Sequence, residues 1–440
     1  MKSYPFEQSL WAHTAAPAPD TAPLEEEKHA DVVVIGGGYT GLSTALRLAQ
    51  RKVKVVVLEA EQTGYGGSGR NAGHCSPTFI FYTPNQIVEL LGPDFGPRMV
   101  QLQSDAANLV FGLIKQYDID CEAAQNGVIY AAHTPSKLAA CEALCNQYAK
   151  LGKQCVILDR DRTNALTGSD KYHGAWFHPE GGHLNPLGYA RGLARAVIEE
   201  GGQIYTSSPV TTVHPEGARW RAVTTRGSVL ADKVVIGTNA YTGDFWPRLN
   251  ETFYRLVAFN VASSPLGENV RRTVLPQNNN VQDTRKDTHY YKIDKDGRIV
   301  TGTVVNWRRG IDQQYSFEKF GRRFSYLFPQ IGELQWQYMW HGYLAMMPRK
   351  LPSLYELAPG VITAIGYSGR GVPTATAMGT VLADFASGAA PKELALPLST
   401  AKPLNGRRLL SLFVPSVAGL LHRWEDRRSM RQADLDPPKF

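Results

Sequence analysis

The chain has 440 residues, of which 43% are hydrophobic and 20% are charged. This length and composition predict a globular protein with two domains or one elaborated α/β unit. The net charge of +7 is partly concentrated between residues 402 and 431, which argues against a nucleic-acid-binding surface spread over the fold.

Neither the N-terminal residues nor the cysteines indicate export. The first residues lack the apolar core of a secretory signal, and no apolar run is long enough to span a membrane. The five cysteines include no CxxC pair and have no accompanying cluster of His or acidic residues. We therefore expect buried, reduced thiols, no metal site and a cytoplasmic location.

The beginning of the chain predicts a βαβ unit. Residues 1–28 are polar and proline-rich and predict an extended lead-in. The apolar, β-branched run at 31–35 predicts a buried parallel strand. A glycine-rich turn, a helix at 42–50 and a second buried strand at 53–58 follow, which completes the unit.

The remaining predicted elements fall into three blocks. The first contains a loop at 64–77, helices at 84–118, 135–152 and 185–201, and strands at 128–132, 203–206 and 231–237. Residues 252–304 alternate apolar and polar, with a hairpin signal at 294–297, and predict an antiparallel sheet. The last block is a buried strand at 361–365, a glycine turn at 366–371 and a helix at 373–387. The predicted fold class is α/β with an inserted antiparallel α+β part.

The strongest motif is Gly36-x-Gly38-x-x-Gly41, between the first strand and the first helix. Gly36 allows a tight turn, Gly38 lets the backbone approach a pyrophosphate, and Gly41 permits close packing of helix on strand. The helix N-terminus supplies amide donors to the phosphates. Glu59, at the end of the second strand, is placed to accept hydrogen bonds from an adenosine ribose. The motif predicts FAD or NAD rather than NADP.

Two further glycine-rich segments, at 66–74 and 366–371, favour FAD over NAD. A flavin cofactor is long and lies across its domain, so it needs more than one such contact. The second segment precedes a helix whose N-terminal amides could face the flavin O2, where negative charge develops on reduction. We therefore predict FAD.

These motifs resemble the D-amino acid oxidase-type family of FAD-dependent oxidoreductases, which contains glycine oxidase and sarcosine oxidase. Within it, the chain is most similar to the gamma-glutamylputrescine oxidase branch. The similarity spans about residues 6–400 and rests on residues 31–49, 55–61, 64–73, 181–213, 234–242 and 340–372. It implies a glycine oxidase-like fold, with a Rossmann-like FAD-binding domain and a substrate domain built on an antiparallel sheet.

The resemblance also implies a division of the chain. We expect a lead-in at 1–28, an FAD-binding domain at 29–105, 185–242 and 351–400, a substrate domain at 106–184 and 243–350, and a basic amphipathic extension at 401–440. The implied cofactor-binding residues are Gly36, Gly38, Tyr39, Thr40, Gly41, Glu59, Ala60, Gly67, Ser68, Gly69, Arg70, Asn71, Ala72, Gly73, His74, Val210, Ser368, Gly369, Arg370, Gly371 and Val372.

Departures from the family pattern bear on the chemistry. Relatives that bind flavin covalently use a His where this chain has Asn71, or a C-terminal cysteine that it lacks. We therefore predict non-covalent FAD. The lysine that activates oxygen in sarcosine oxidase has no clear counterpart at 297–303.

Candidate substrate-side residues lie on the predicted insert and the loops beside the flavin. His74 would lie near the ring edge, or only bond its own loop. Tyr290 and Lys292 share one face of a strand, which faces either substrate or core. His341 stands where many relatives have a small residue, and Arg349 could bind a substrate carboxylate or be solvated.

The resemblance implies an amine or amino-acid oxidoreductase that transfers a hydride from the substrate α-carbon to flavin N5. The resulting imine would hydrolyse to an aldehyde or keto acid. The substrate would be a secondary amine, a polyamine derivative such as γ-glutamylputrescine or a small amino acid, with O2 as acceptor and H2O2 as product.

Alternatives remain open at this point. The apolar segment at 407–421 has basic flanks and could dock on the protein itself or on the inner membrane face, which would suit a dehydrogenase that reduces quinone. A flavoprotein acting on modified tRNA is less favoured, because the insert lacks an interleaved basic and aromatic strip. The identity of the amine and the oligomeric state do not follow from the sequence.

Overall fold

The computed structural model describes residues 5–304, 312–407 and 409–414. Within them the strands are β1 (Glu27–Ile35), β2 (Val55–Leu58), β3 (His74–Cys75), β4 (Val128–Ala131), β5 (Val156–Leu158), β6 (Ala175–His178), β7 (Gly182–His183), β8 (Gln203–Tyr205), β9 (Val210–Glu216), β10 (Arg219–Thr224), β11 (Ser228–Ile236), β12 (Tyr254–Ser263), β13 (Asn280–Asp283), β14 (Tyr290–Ile293), β15 (Ile299–Val304), β16 (Trp336–Met346), β17 (Ser353–Ala358), β18 (Val361–Ile365) and β19 (Leu398–Ser399).

The α-helices of the same residues are α1 (Leu10–Thr14), α2 (Tyr39–Gln50), α3 (Pro84–Gln116), α4 (Pro135–Lys150), α5 (Arg160–Thr167), α6 (Pro186–Glu199), α7 (Glu268–Arg271), α8 (Gln313–Leu327) and α9 (Gly371–Ala386). Short 3-10 helices lie at Phe6–Gln8, Gly67–Gly69, Asn239–Tyr241, Leu249–Glu251, Pro329–Ile331 and Pro391–Glu393.

A nine-stranded sheet, the first sheet, contains the predicted βαβ unit. Its strands lie in the order β19-β17-β18-β11-β1-β2-β8, and the hairpin of β9 and β10 extends it from β11. β1 pairs in parallel with β11 and with β2. Val32 and Val34 pack in a core with α2, α3, α6 and α9, whereas Val33 and Ile35 pack in a second core with Phe253. Burial on both faces explains the continuous apolar run of β1.

An eight-stranded sheet, the second sheet, contains the predicted insert. Its strands lie in the order β16-β12-β15-β14-β13-β4-β6-β5. The predicted antiparallel pairing at 252–304 is confirmed. Among the described strands of this sheet, only the β13–β4 pair is parallel. Tyr291 packs with Phe324 of α8 on one face. Tyr290 and Lys292 alternate with it and therefore point to the opposite face, where they contact His74 and the Leu184 carbonyl respectively.

The prediction of an extended lead-in at residues 1–28 is wrong at its centre. Ser9 caps α1, since its hydroxyl accepts a hydrogen bond of 3.2 Å from the amide of Ala12. Phe6, Leu10 and Trp11 are buried. The sequence did not predict this helix because three apolar side chains among Pro and polar residues are too few to give a recognisable helical period.

The C-terminal extension is described only in part. Among the described residues, no helix has the length and apolar character that a membrane crossing requires. Residues 409–414 are helical, and Leu410 and Val414 pack against an apolar cluster on β12 and β16. Residues 408 and 415–421 of the segment predicted to dock lie outside the described residues. The exposed side chains of the described part are Leu409, Leu412 and Phe413.

Candidate active site

A cleft of about 410 Å³ opens where β1, β2, β11 and β18 reach their carboxyl ends. Open parallel sheets bind ligands at this edge, and the volume is typical of small-molecule sites. Thirteen of the predicted cofactor-binding residues line it: Gly36, Gly38, Tyr39, Thr40, Glu59, Ala60, Gly67, Ser68, Asn71, Val210, Ser368, Gly369 and Gly371.

The other predicted cofactor-binding residues are not part of the cleft lining. A Cβ on Gly41 would lie 1.9 Å from the carbonyl oxygen of Gly36, so this glycine lets α2 pack on the turn. A Cβ on Gly73 would lie 2.0 Å from the carbonyl oxygen of Leu184. These two glycines shape the loops from outside. The predicted residues that do not line the cleft are Gly41, Gly69, Arg70, Ala72, Gly73, His74, Arg370 and Val372.

The first end of the cleft fits an adenosine ribose. Gly36 has a φ of 107°, which turns the chain sharply after β1 and favours glycine. The Glu59 carboxylate accepts hydrogen bonds from the amides of Gly37 (2.6 Å) and Glu61 (3.0 Å). Burial raises the pKa of Glu59, while these main-chain donors oppose the rise. The carboxylate is therefore held in one orientation at the cleft wall, where ribose hydroxyls can donate to it.

The middle of the cleft fits a pyrophosphate. Gly38 precedes α2, and a Cβ there would lie 2.8 Å from the hydroxyl oxygen of Ser68. The amide of Tyr39, in the first turn of α2, donates to the same hydroxyl at 3.0 Å. The helix N-terminus and the loop at 66–74 thus meet here, with amide donors and no intervening side chain at Gly38. This is the cradle that the glycine motif predicts.

Residues 66–74, called the flavin loop below, are braced by Asn71. Its side-chain amide donates to the carbonyl oxygens of Ser68 (2.8 Å) and Gly67 (3.2 Å), and its side-chain oxygen accepts from the amide of Gly73 (2.8 Å). Asn71 therefore fixes the loop backbone with an NH2 donor and a carbonyl acceptor, a pair of groups that a His at this position would not offer.

Sequence reasoning missed most of the second end of the cleft. Thr238 and Asn239 follow β11, and the Asn239 side chain accepts from the amide of Gly366 at 2.9 Å. Their position directly after a buried parallel strand beside β1 was a usable signal. The side chains from β16 had no such signal; the missed lining residues are Thr238, Asn239, Tyr241, Phe245, Tyr343, Leu344 and Ala345.

The structure brings His74 and Tyr290 together. Their rings meet edge to face at 5.3 Å. His74 Nδ1 shares a hydrogen bond of 2.6 Å with the Asn280 side chain, and the Tyr290 hydroxyl donates to Asn260 Oδ1 at 3.1 Å. Burial holds the pKa of His74 well below its usual range, with Lys292 adding to the effect, and raises the pKa of Tyr290. Both groups are therefore neutral at physiological pH.

The other three predicted substrate-side residues do not join this pair. Lys292 lies behind the flavin loop, where its ammonium donates to the Leu184 carbonyl at 2.6 Å, and burial lowers its pKa to about 8. His341 is half-buried on β16 with its ring 6.0 Å from that of Tyr343. Arg349 is exposed, and its carbonyl accepts from the Tyr82 hydroxyl.

The described residues contain no group of three or more His, Cys, Asp or Glu side chains that could hold a metal ion. Cys141 and Cys145, one helical turn apart on α4, are buried free thiols, and burial raises the pKa of Cys141 to about 12.

The sequence and fold match known flavoproteins. The family model of DAO, described as FAD dependent oxidoreductase, matches residues 31–385. Gamma-glutamylputrescine oxidoreductase of Escherichia coli K12 is 30% identical over 94% of this chain and 98% of its own length. Glycine oxidase of Geobacillus kaustophilus is 23% identical over 81% of this chain and 92% of its own length.

Solved structures give the same fold. The crystal structure of glycine oxidase from G. kaustophilus superposes with a TM-score of 0.67 at 20% identity, covering 82% of this chain and 95% of that one. L-proline dehydrogenase from P. horikoshii gives 0.70 at 19% identity, covering 83% and 96%. The predicted fold class and cofactor are confirmed. The chain belongs to the DAO family of FAD-dependent oxidoreductases and acts on amines or amino acids.

Proposed function

We propose that the protein oxidises an aliphatic amine that carries a carboxylate at its other end, as γ-glutamylputrescine does, and passes the electrons to O2. The proposal rests first on similarity, because the E. coli relative named for γ-glutamylputrescine matches over nearly its whole length. It rests on one observation in this chain as well, which is the set of partners of Arg370.

The half-buried guanidinium of Arg370 has only neutral partners among the described residues. It donates to Gln282 Oε1 at 3.0 Å and to Thr78 Oγ1 at 3.2 Å, and its Nε has no acceptor. A cation removed from water is stabilised well only when a carboxylate is close by. We infer that the substrate supplies this carboxylate beside Ser368 and Gly369, at the second end of the cleft.

The same surroundings suit oxidation of an amine. Bound FAD supplies a hydride acceptor. His74 and Tyr290 are neutral, and the nearby cations Arg370 and Lys292 disfavour a second positive charge. A bound ammonium therefore loses its proton more readily than in water, which leaves the neutral amine whose α-hydrogen can leave as hydride. The chain's task is to orient that carbon and to exclude water.

The test is anaerobic mixing of the purified holoprotein with matched amines, followed by loss of the flavin absorbance near about 450 nm. γ-Glutamylputrescine should reduce the flavin fastest, followed by amines of equal length without a carboxylate. Equal or faster reduction by putrescine would refute the role of the carboxylate, and reduction only by glycine or sarcosine would replace the proposal by an amino-acid oxidase. Acid precipitation should release the FAD into the supernatant, as expected for non-covalent binding.

A quinone is the second candidate acceptor, because Leu409, Leu412 and Phe413 are exposed on one short helix. Apolar side chains on a helix with basic flanks are typical of contact with a membrane surface. Air added to the substrate-reduced protein should restore the flavin absorbance within seconds and yield one H2O2 per flavin. Slow reoxidation by air, together with fast reoxidation by a water-soluble quinone, would favour the dehydrogenase.

A further inference from the structure

The N-terminal segment crosses the molecule and ends against the flavin loop. Residues 5–24, called the strap, run along α6, where Arg191 and Arg195 donate to the carbonyl oxygens of Ala16 (2.8 Å) and Pro17 (2.7 Å). At the far end of the strap, the amide of Leu24 donates to the Ser208 hydroxyl at 2.8 Å. Trp11, on α1, is fully buried at the other end.

Three side chains hold the rear of the flavin loop. The indole of Trp11 donates to the carbonyl oxygen of Asn71 at 2.8 Å. Trp340 and Asn260 both donate to the neighbouring carbonyl of Arg70, at 2.9 and 3.0 Å. The three donors come from the strap, β16 and β12, and we call them the rear anchor. The opposite side of the same loop lines the cleft through Gly67, Ser68 and Asn71.

We propose that Trp11 is a positioning residue for FAD, and that the strap is a latch that keeps the flavin loop in its binding conformation. Trp11 is not among the residues that line the cleft. It acts through Asn71, whose carbonyl it holds and whose side chain braces Gly67, Ser68 and Gly73. Phe6 adds a second contact, since the Arg70 guanidinium lies 4.8 Å above its ring.

The physical reason is that the part-buried Asn71 carbonyl takes its hydrogen bond from the fully buried indole of Trp11. With the indole N–H removed, this part-buried acceptor loses its donor, and the peptide must turn toward water or stay unpaired. Either outcome disturbs the backbone that the Asn71 side chain braces. The coupling is reciprocal. The free energy by which the ordered strap strengthens FAD binding equals the free energy by which bound FAD stabilises the strap.

The test compares Trp11→Phe with Trp220→Phe in the holoprotein. Phenylalanine at 11 keeps an aromatic ring against Trp340 and Lys292 but has no N–H. Trp220 is the matched control, because its indole also donates to a main-chain carbonyl, that of Pro359 at 3.1 Å, far from the flavin loop. The measured quantities are the rate of FAD release, from the rise in flavin fluorescence, and the visible absorption bands of the bound flavin.

Trp11→Phe should release FAD about tenfold faster and change the shape of the visible bands, while Trp220→Phe should do neither. Unchanged release in Trp11→Phe, or equal acceleration in both variants, would overturn the proposal. Amide hydrogen exchange in the unmodified protein gives an independent test that needs no variant. FAD should slow exchange at residues 9–14 as well as at 70–74, and equal exchange of the strap with and without FAD would also overturn it.

Discussion

The two ends of the cleft are built in different ways. The adenosine end comes from one short stretch, in which Gly36, Gly38 and Glu59 act through backbone geometry and a single carboxylate. The second end of the cleft, called the ring end below because the flavin ring is expected there, is assembled from four segments. They are the flavin loop, the residues after β11, the middle of β16 and the turn before α9. A site made from contiguous backbone needs particular residue types at fixed spacing, whereas a site made from four distant segments needs only that the fold bring them together.

The largest expected effect is at the adenosine end, from Gly41→Ala. The new Cβ would lie 1.9 Å from the carbonyl oxygen of Gly36, which is backbone and has no room to move. The helix must shift away from the strand, so the purified protein should contain little or no FAD and should lose about 1–3 kcal/mol or more of stability. The ratio of flavin absorbance to protein absorbance measures the FAD content, and thermal unfolding measures the stability.

Gly112→Ala is the control for this change, because no atom lies within 4 Å of its added Cβ and it sits inside α3. That variant should keep its FAD and gain about 0.5–1 kcal/mol, as alanine usually does in a helix. If Gly41→Ala were to bind FAD like the unmodified protein, the helix and strand would not need the close approach, and the adenosine end would be less rigid than we describe.

The second effect in size comes from Glu59→Gln. The amide keeps the volume of the carboxylate, but its NH2 group must face one of the main-chain donors, Gly37 or Glu61. A hydrogen bond to a charged acceptor contributes about 1.5–3 kcal/mol, so FAD affinity should fall roughly 10- to 100-fold. The maximal rate with saturating FAD should be unchanged, because Glu59 lies far from the ring end. Glu142→Gln, exposed on α4, should change neither quantity.

The same difference explains what could be predicted from the sequence. Local spacing in the sequence predicts the βαβ unit, Glu59 and the glycine-rich segments at 66–74 and 366–371. The structure gathers thirteen of the predicted cofactor-binding residues in one cleft. Trp11, Asn260 and Trp340 could not be predicted, because nothing in their own segments marks them. Their role exists only because β12, β16 and the strap converge on the carbonyls of Arg70 and Asn71.

Arg370→Gln tests whether the ring end binds a substrate carboxylate. The proposed carboxylate partner would lose a charged donor, so the KM of a carboxylate-bearing amine should rise about tenfold with a smaller change in kcat. Amines without a carboxylate should keep their KM, and FAD content should stay normal. Arg349→Gln, also near this end but exposed, is the control and should leave every constant unchanged. A KM that rises equally for putrescine would assign Arg370 to structure rather than to substrate selection.

The smallest expected effect is a pH dependence of stability from Lys292, which is buried beside the rear anchor. Burial lowers its pKa in the folded protein from the ordinary 10.5 to about 8. Between these two values the unfolded chain binds more protons, so the free energy of unfolding should rise as the pH increases through that window. The destabilising cost is fully present below pH 8 and absent above pH 10.5.

Lys292→Met tests this pH dependence. The informative quantity is the slope of the unfolding free energy against pH, rather than the stability at one pH. The variant removes the buried charge but leaves the Leu184 carbonyl without its donor, and these two effects oppose each other at neutral pH. The difference in unfolding free energy between variant and unmodified protein should therefore change between pH 8 and 10.5 and stay constant between pH 6 and 7.5. A constant difference across both ranges would mean that Lys292 titrates normally. The charge of Lys292 would then be as well compensated as that of Glu59 at the adenosine end, whose carboxylate accepts from two main-chain amides.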